Sequence, residues 1–203
     1  MIIGSKYKIC RRLGSGVFDQ CQSPKFLLSE ARHAKRVAGK GKRKQVSEFG
    51  LQLIEKQKIR FSYGITEKQL GNYVAEAIST KGAVSADKLY EFLESRLDNT
   101  IYRLGLASTR RLARQMASHG HFTVNGEKTN VPSFRLKIGD KVAVREGSKA
   151  SVLFQNLDKK LETFRAPAWL SFDASALVAE VKGKPKNEDT FLNINTVLEF
   201  YSR

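Results

Sequence analysis

Cysteine is scarce in this chain: Cys10 and Cys21 are the only two among 203 residues. Two are too few to staple a fold, and the shortage agrees with a reducing compartment. They are also too few for a structural zinc site, which takes four ligands; Cys-x10-Cys is not zinc spacing, and His33 is the nearest further candidate. Histidine is almost as rare, three in all. No Ser/His/Asp or Cys/His arrangement is legible, so no catalytic residue, metal ligand or cofactor is assigned. No apolar run approaches the ~18 residues of a membrane span. The opening Met-Ile-Ile-Gly-Ser-Lys-Tyr-Lys lacks the apolar region and cleavage site of a secretory signal. A cytoplasmic protein without a membrane partner is the expectation. Finally, acidic residues are missing between positions 105 and 126, where Arg110, Arg111 and Arg114 stand close together.

What is abundant is positive charge. The formal net charge is +16. Residues 1–60 hold 15 Lys and Arg against 4 Asp and Glu, and residues 101–150 hold 10 against 3. A near-neutral stretch separates them, and residues 151–203 balance at 7 against 7. Two discrete basic surfaces suggest a polyanion that touches both. With 41% apolar residues the chain can still bury a core, as one domain or two small ones.

Residues 1–46 show little periodicity and read as a basic arm. Arg11, Arg12, Lys40, Lys42, Arg43 and Lys44 are its candidate phosphate contacts. Glycines and mutually repelling cations in Gly39–Lys44 deny that run a stable helix, so the arm is expected to order only against phosphate. From Ser47 the pattern turns helical. Ser47 can cap a helix with Leu51, Ile54 and Phe61 on one side, stopped by Gly64. Its other side carries Lys56, Arg60 and Tyr63 at i, i+4, i+7, beside Lys58; such a row can hold phosphates while the ring packs on a sugar or base. Thr66-Glu67-Lys68-Gln69 has capping-box form and opens a second helix. A third, from Ser85, carries Leu89, Phe92, Leu93 and Leu97 and extends toward Leu104. Residues 47–94 therefore read as a small helical domain, completed by 155–203.

Residues 95–154 read as a compact α/β unit. Ser108 caps a helix on which Arg110, Arg111, Arg114 and Ser118 fall within about one third of the circumference at ~100° per residue. After Gly120, Phe122 and Val124 alternate with polar residues up to an Asn125-Gly126 turn. Further strands are expected near Ser133–Lys137 and Lys141–Arg145. The overall class is α+β: an arm and helical domain plus two helices followed by a small antiparallel sheet. The segment 155–203 is mixed. Pro167–Leu170 and Leu198–Tyr201 have short strand character, and Phe200 and Tyr201 either pack internally or meet another protein.

The arginine cluster points to nucleic acid. Arginine's planar fork suits phosphate, and three forks on one helix face can fix orientation. RNA is favoured over DNA because no helix-turn-helix spacing or dimer seam is present; self-association is not expected. Arg96, Arg103, Gln115, His119 and Asn125 join the candidate contacts, and His119 and His121 read as surface groups. Ser95-Arg96-Leu97-Asp98 resembles the Gly-Arg-Leu-Asp of some pseudouridine synthases. Here it sits in a leucine-rich helical pattern, so Asp98 is expected to pair with Arg96 or an adjacent arginine. A small RNA-binding stress factor is the other rival reading.

Arg96-Leu97-Asp98-Asn99, Tyr102-Arg103-Leu104-Gly105, Ala113-Arg114-Gln115 and Val124-Asn125-Gly126 resemble the RNA-binding module of the bacterial-type ribosomal protein S-four family. Gly50–Lys58, Tyr63-Gly64, Asn72-Tyr73, Trp169-Leu170 and Glu199–Arg203 are similar to that family's remaining segments, nearly end to end. The resemblance implies a non-catalytic small-subunit protein that binds 16S ribosomal RNA at a multi-helix junction of the 5′ domain during assembly. It further implies ribosomal protein S-five as a neighbour, a place near the messenger path, and an influence on decoding accuracy. Repression of its own messenger, known for some members, does not carry over safely. Some relatives hold zinc on four N-terminal cysteines. Cys10 and Cys21 match the second and third, while Tyr7 and Phe26 take the outer two positions, so no zinc is expected. Packing of Tyr7 against Phe26 is the expected substitute.

Overall fold

Why residues 6–38 fold at all is the first question, since the sequence reads them as an arm without regular structure. In the computed structural model, which describes residues 4–38, 46–154, 157, 164–187 and 191–202, they form helix α1 (Lys6–Leu13), two short 3-10 turns at Ser15–Val17 and Asp19–Gln22, and helix α2 (Pro24–Ala38). The arm expectation is corrected for these residues. Its few apolar groups are spaced to meet: Cys10, Leu13, Val17, Cys21 and Phe26 are buried together, with Tyr7, Ile9 and Phe18 packed around them. Tyr7 meets Phe26 edge to face, ring centroids 5.2 Å apart, as expected of that pair. Cys10 and Cys21, read from sequence as too few to staple a fold and as agreeing with a reducing compartment, are joined in a disulfide with their Cα atoms 6.5 Å apart. The two 3-10 turns fold the chain back and bring them together. Lys40, Lys42, Arg43 and Lys44 lie outside the described residues.

Helix α3 (Glu48–Ser62) begins at Ser47, whose hydroxyl accepts from the Gly50 amide at 3.2 Å. Gly64, at φ +63°, turns the chain, and α4 (Glu67–Ser79) opens with the expected Thr66–Gln69 capping box. Two faces of α3 are covered, by α1 and by the final helix α9 (Ile194–Tyr201). That is why Leu51 of the expected apolar stripe is exposed while Gln52, Lys56, Ile59 and Ser62 are buried. Residues 198–201, expected as a strand, are helical because Asn193 caps α9 by accepting from the Thr196 amide.

The chain divides into two units, residues 1–89 with 188–203, and residues 90–187. Segment 155–203 therefore does not complete the helical unit as a whole; its greater part belongs to the second unit. Helix α5 (Ser85–Glu94) ends one residue before Ser95 instead of continuing to Leu104. The chain extends through Arg96, which bridges Arg135, and restarts as α6 (Leu97–Arg103). The Leu97 and Asp98 amides donate to the carbonyls of Phe134 and Pro132, so a partner distant in sequence causes the break. Apart from that bridge, the strand expected near Ser133–Lys137 is absent. Helix α7 (Arg110–Ser118) is capped by Thr109, one residue after the expected Ser108.

Strands β1 (Phe122–Val124) and β2 (Glu127–Thr129) form the hairpin, with Asn125 at φ +52° and Gly126 at φ +88°. Both values suit the tight turn that Asn-Gly encodes. Then come β3 (Lys141–Val144), the single-turn helix α8 (Glu146–Lys149), β4 (Leu170–Asp173) and β5 (Val178–Val181). The antiparallel sheet runs β2-β1-β3-β5-β4. Its inward residues, including Phe122, Val124, Val142, Val144, Ala179 and Val181, share one core with Leu97, Ile101 and Leu104 of α6 and Ala113, Met116 and Ala117 of α7. The α+β class stands, and the sheet presses α7 outward along its polar side.

Candidate nucleic-acid interface

The arginines of α7 are oriented from α6. One turn of α6 carries Asp98, Asn99 and Tyr102, and each serves a basic side chain. Arg96 is fully buried and forms a two-pronged pair with Asp98, at 2.9 Å from Nε to Oδ1 and 2.7 Å from Nη2 to Oδ2. Asn99 is buried; its Nδ2 donates to the Glu94 carbonyl at 3.1 Å, and its Oδ1 accepts from Arg110 Nε at 2.8 Å. The Arg110 guanidinium also lies 4.4 Å from the centre of the Tyr102 ring. Arg114 Nη1 sits 3.8 Å from Asp98 Oδ2 and keeps 36% of its side chain exposed. Arg111 is exposed at the edge of this face, with Gln115, Ser118 and His119 continuing the exposed side of the helix. The missing acids of residues 105–126 are thus supplied from the preceding helix. Burial of Asp98 and its engagement with two arginines place it in this scaffold.

Electrostatics single out the same face. The first turn of α7 contains no acidic residue and two adjacent arginines. Cations at the positive end of a helix dipole oppose helix stability, where an anion would favour it. The arrangement costs the helix something, and it gains only when an anion arrives. Beyond the helix, a Cβ added to Gly120 would fall 2.6 Å from Lys128 Cε, so the lysine stem lies across that glycine, next to His119 and His121. His121 Nδ1 shares a hydrogen bond with Ser148 Oγ at 3.0 Å, and burial, then the charges of His119 and Arg145, lower its pKa.

Other candidate contacts already have partners within the chain, and for Tyr63, Lys56 and Arg96 burial corrects the expectation. Tyr63 is buried, and so is Lys56, which pairs with Glu67 at 2.6 Å and lies 4.6 Å from the centre of the Phe200 ring. Arg60 pairs with Glu67 at 3.1 Å. The row at i, i+4, i+7 faces α9 and Glu67 at the start of α4. Lys58 pairs with Glu55 at 2.6 Å and lies over Phe191. Arg96 is inaccessible behind Asp98, and Arg103 is clamped by both oxygens of Glu94 at 2.8 Å. Asn125 spends its amide on the start of β3, donating to Asp140 at 2.8 Å and accepting from the Lys141 amide at 2.9 Å. Phe200 packs against Lys56, and Tyr201 donates to Glu67 at 2.8 Å, so both half-exposed rings make contacts within their own unit. Arg11 bonds Ser29 at 2.6 Å, whereas Arg12 is exposed.

The supports were harder to see in sequence than the arginines. Asp98 and Tyr102 stand at i, i+4, a spacing that could have revealed them as one face. Asn99 and Glu94 act on residues 11 and 9 positions away, for which no local pattern exists.

A buried ionic scaffold presenting guanidinium groups from a helix, in an α+β chain of net charge +16, suits the class of proteins that bind a polyanion such as nucleic acid. Comparison with known proteins agrees. Residues 2–94 match the Ribosomal protein S4/S9 N-terminal domain, and residues 95–142 match the S4 domain. The small ribosomal subunit protein uS4 of Syntrophomonas wolfei is 43% identical over 199 residues, 96% of this chain and 95% of the relative. That of Acetivibrio thermocellus is 41% identical over 205 residues, 98% of each, and that of Roseiflexus sp. 42% over 200, covering 97% and 96%. The chain belongs to the small ribosomal subunit protein uS4 family, whose members are structural ribosomal proteins and not enzymes.

Proposed function

We propose that this chain is a structural constituent of the small ribosomal subunit. It binds 16S ribosomal RNA directly, holds together several helices at a junction of the 5′ domain during assembly, and through that placement contributes to decoding accuracy. It acts as a single copy, with ribosomal protein S-five as a neighbour and messenger RNA passing nearby. The observation that carries this reading is the α7 face. Arg110 and Arg114 are held in fixed directions by Asn99 and Asp98, with Arg111 exposed beside them. Fixed forks lose less conformational freedom on binding than mobile ones, and they match phosphate geometry. Gln115, Ser118 and His119 extend the same contact surface, and Arg12 adds a cation from the first unit. Lys40, Lys42, Arg43 and Lys44 complete the proposed set.

The test is filter binding of the purified chain to a 16S 5′-domain transcript across a salt series. Replacing Arg111 and Arg114 with alanine together should weaken binding and lower the slope of log K against log salt by about one per lost phosphate contact. Unchanged affinity and slope would reject this face as the contact. Chemical footprinting of the same complex should show protections on more than one RNA helix; protection confined to one would reject the junction role.

A further inference from the structure

Between α1 and α3 the first unit has a cleft of about 430 Å³ that the α7 face does not explain. One wall is a row of α1, Lys8 and Arg12 at i, i+4, with Ile9 beside them; the other is a row of α3, Leu53, Gln57 and Phe61 at i, i+4, i+8. The floor is apolar and half-buried, and the rim is cationic and exposed. Among the described residues no acid lines the cleft, and none occurs anywhere in α1. Among the described residues neither Lys8 nor Arg12 forms an ion pair, and the Gln57 amide has no hydrogen-bond partner. Like charges at i, i+4 destabilise a helix slightly, so this rim, like the start of α7, is arranged for an anion.

We propose that this cleft receives one unstacked nucleotide of the bound RNA. The ring lies on the Leu53–Phe61 wall, the Gln57 amide meets the base edge, and Lys8 and Arg12 hold the adjoining phosphate. The chemistry fits part by part. A nucleobase has two apolar faces, which an aliphatic and aromatic wall can cover. Its edge offers both donors and acceptors, and an amide supplies both at one point. The phosphate accounts for a rim that carries only positive charge. A purely apolar ligand would leave Gln57 and the two cations without a role, and a lone phosphate would leave the apolar wall without one. The proposal rests on the RNA-binding reading and adds to it a single-nucleotide contact remote from α7 in sequence.

Two arms separate its failure from that of the parent reading. The full chain, labelled with ¹⁵N, is titrated with each 5′-mononucleotide and, separately, with inorganic phosphate. Saturable shifts of the Gln57 side-chain amide are expected with mononucleotides and not with phosphate. In the second arm, Leu53→Trp, which fills the cleft, and Arg12→Glu, an exposed charge reversal, are compared with Arg111→Ala for affinity to the 5′-domain transcript, each first checked for native circular dichroism. Both cleft variants should lose about fivefold or more, the range of one stacked base, and one nucleotide shielded by the wild type should become reactive. Equal shifts with phosphate alone would reduce the site to an anion rim and overturn the proposal. So would cleft variants that bind the transcript as wild type does while Arg111→Ala weakens it. A wild-type chain that fails to bind the transcript at all brings down the RNA reading itself.

Discussion

Arg96 and Arg111 show how one side-chain type takes opposite roles within a single unit. Arg96 has no exposed surface and both its prongs rest on Asp98, itself only 5% exposed in its side chain; Arg111 is open to solvent. Removing one member of a buried pair leaves an uncompensated charge, at a cost of about 3–5 kcal/mol. Arg96→Ala should therefore lower unfolding free energy by that order in a urea titration, while RNA affinity per folded molecule stays within about twofold. A variant of normal stability and lost affinity would return Arg96 to the contact surface. Glu67 gives a second residue-level expectation. Burial raises its pKa, but hydrogen bonds from Lys56, Tyr201 and Arg60 outweigh burial, and the net shift is downward from 4.5. A carboxyl that binds its proton more weakly when folded stabilises the fold above its unfolded pKa, and that contribution is lost as pH falls through the folded value. Urea midpoints should thus decline on acidification below pH 4.5, and Glu67→Gln should flatten that part of the profile from a lower neutral-pH starting point. An identical acid profile in the two proteins would show that Glu67 does not anchor α9. Tyr201, which donates to Glu67, has its own pKa raised by burial and by that bond, so it keeps its proton throughout this range.

Helix α7 carries an internal conflict that can be measured. Its opening turn holds Arg110 and Arg111 at the positive pole. A carboxylate there should stabilise the helix by about 0.3–1 kcal/mol. Arg111→Glu is accordingly expected to raise thermal stability slightly while weakening RNA binding at least tenfold at low salt. Stability and affinity that fell together would indicate a packing role for Arg111. Elements of this kind were readable in sequence to the extent that their causes are local. Ser47, the Thr66–Gln69 box and the Asn125-Gly126 turn act over a few residues, and each is where its side-chain chemistry puts it. The break at Ser95–Arg96 depends on Pro132, Phe134 and Arg135, and no period within 85–104 contains that information. The same limit hid the true surroundings of Lys56 and Tyr63. A cation–aromatic row at i, i+4, i+7 looks alike whether water or another helix covers it, and α9 arrives from the far end of the chain. The exposed arginines were legible because a lack of nearby acids is a local property; the residues that aim them were not.

At the scale of the molecule, the second unit is larger than the segment matching the S4 domain. Residues 95–142 end within β3, yet β5 pairs with the free side of β3 and β4 with β5. Phe154, Leu157, Leu170 and Val181 are each buried in the common core. Burying a large apolar side chain contributes about 1.5–3 kcal/mol, so these four reach a magnitude comparable with the ~5–15 kcal/mol net stability of an ordinary domain. Without them β3 would become an open edge, with its unpaired amides and carbonyls available to other chains. A fragment of residues 90–187 should consequently unfold cooperatively in urea, with dispersed amide resonances. A fragment of residues 90–154, which retains every arginine of α7, should lose that dispersion and tend to aggregate. Its RNA affinity should fall as well, since α7 owes its direction to a core that the later strands complete. Equal cooperativity in both fragments would mean that β4 and β5 are appended to a unit already stable alone, and that the arginine face is held by α6 and β1–β3 without them.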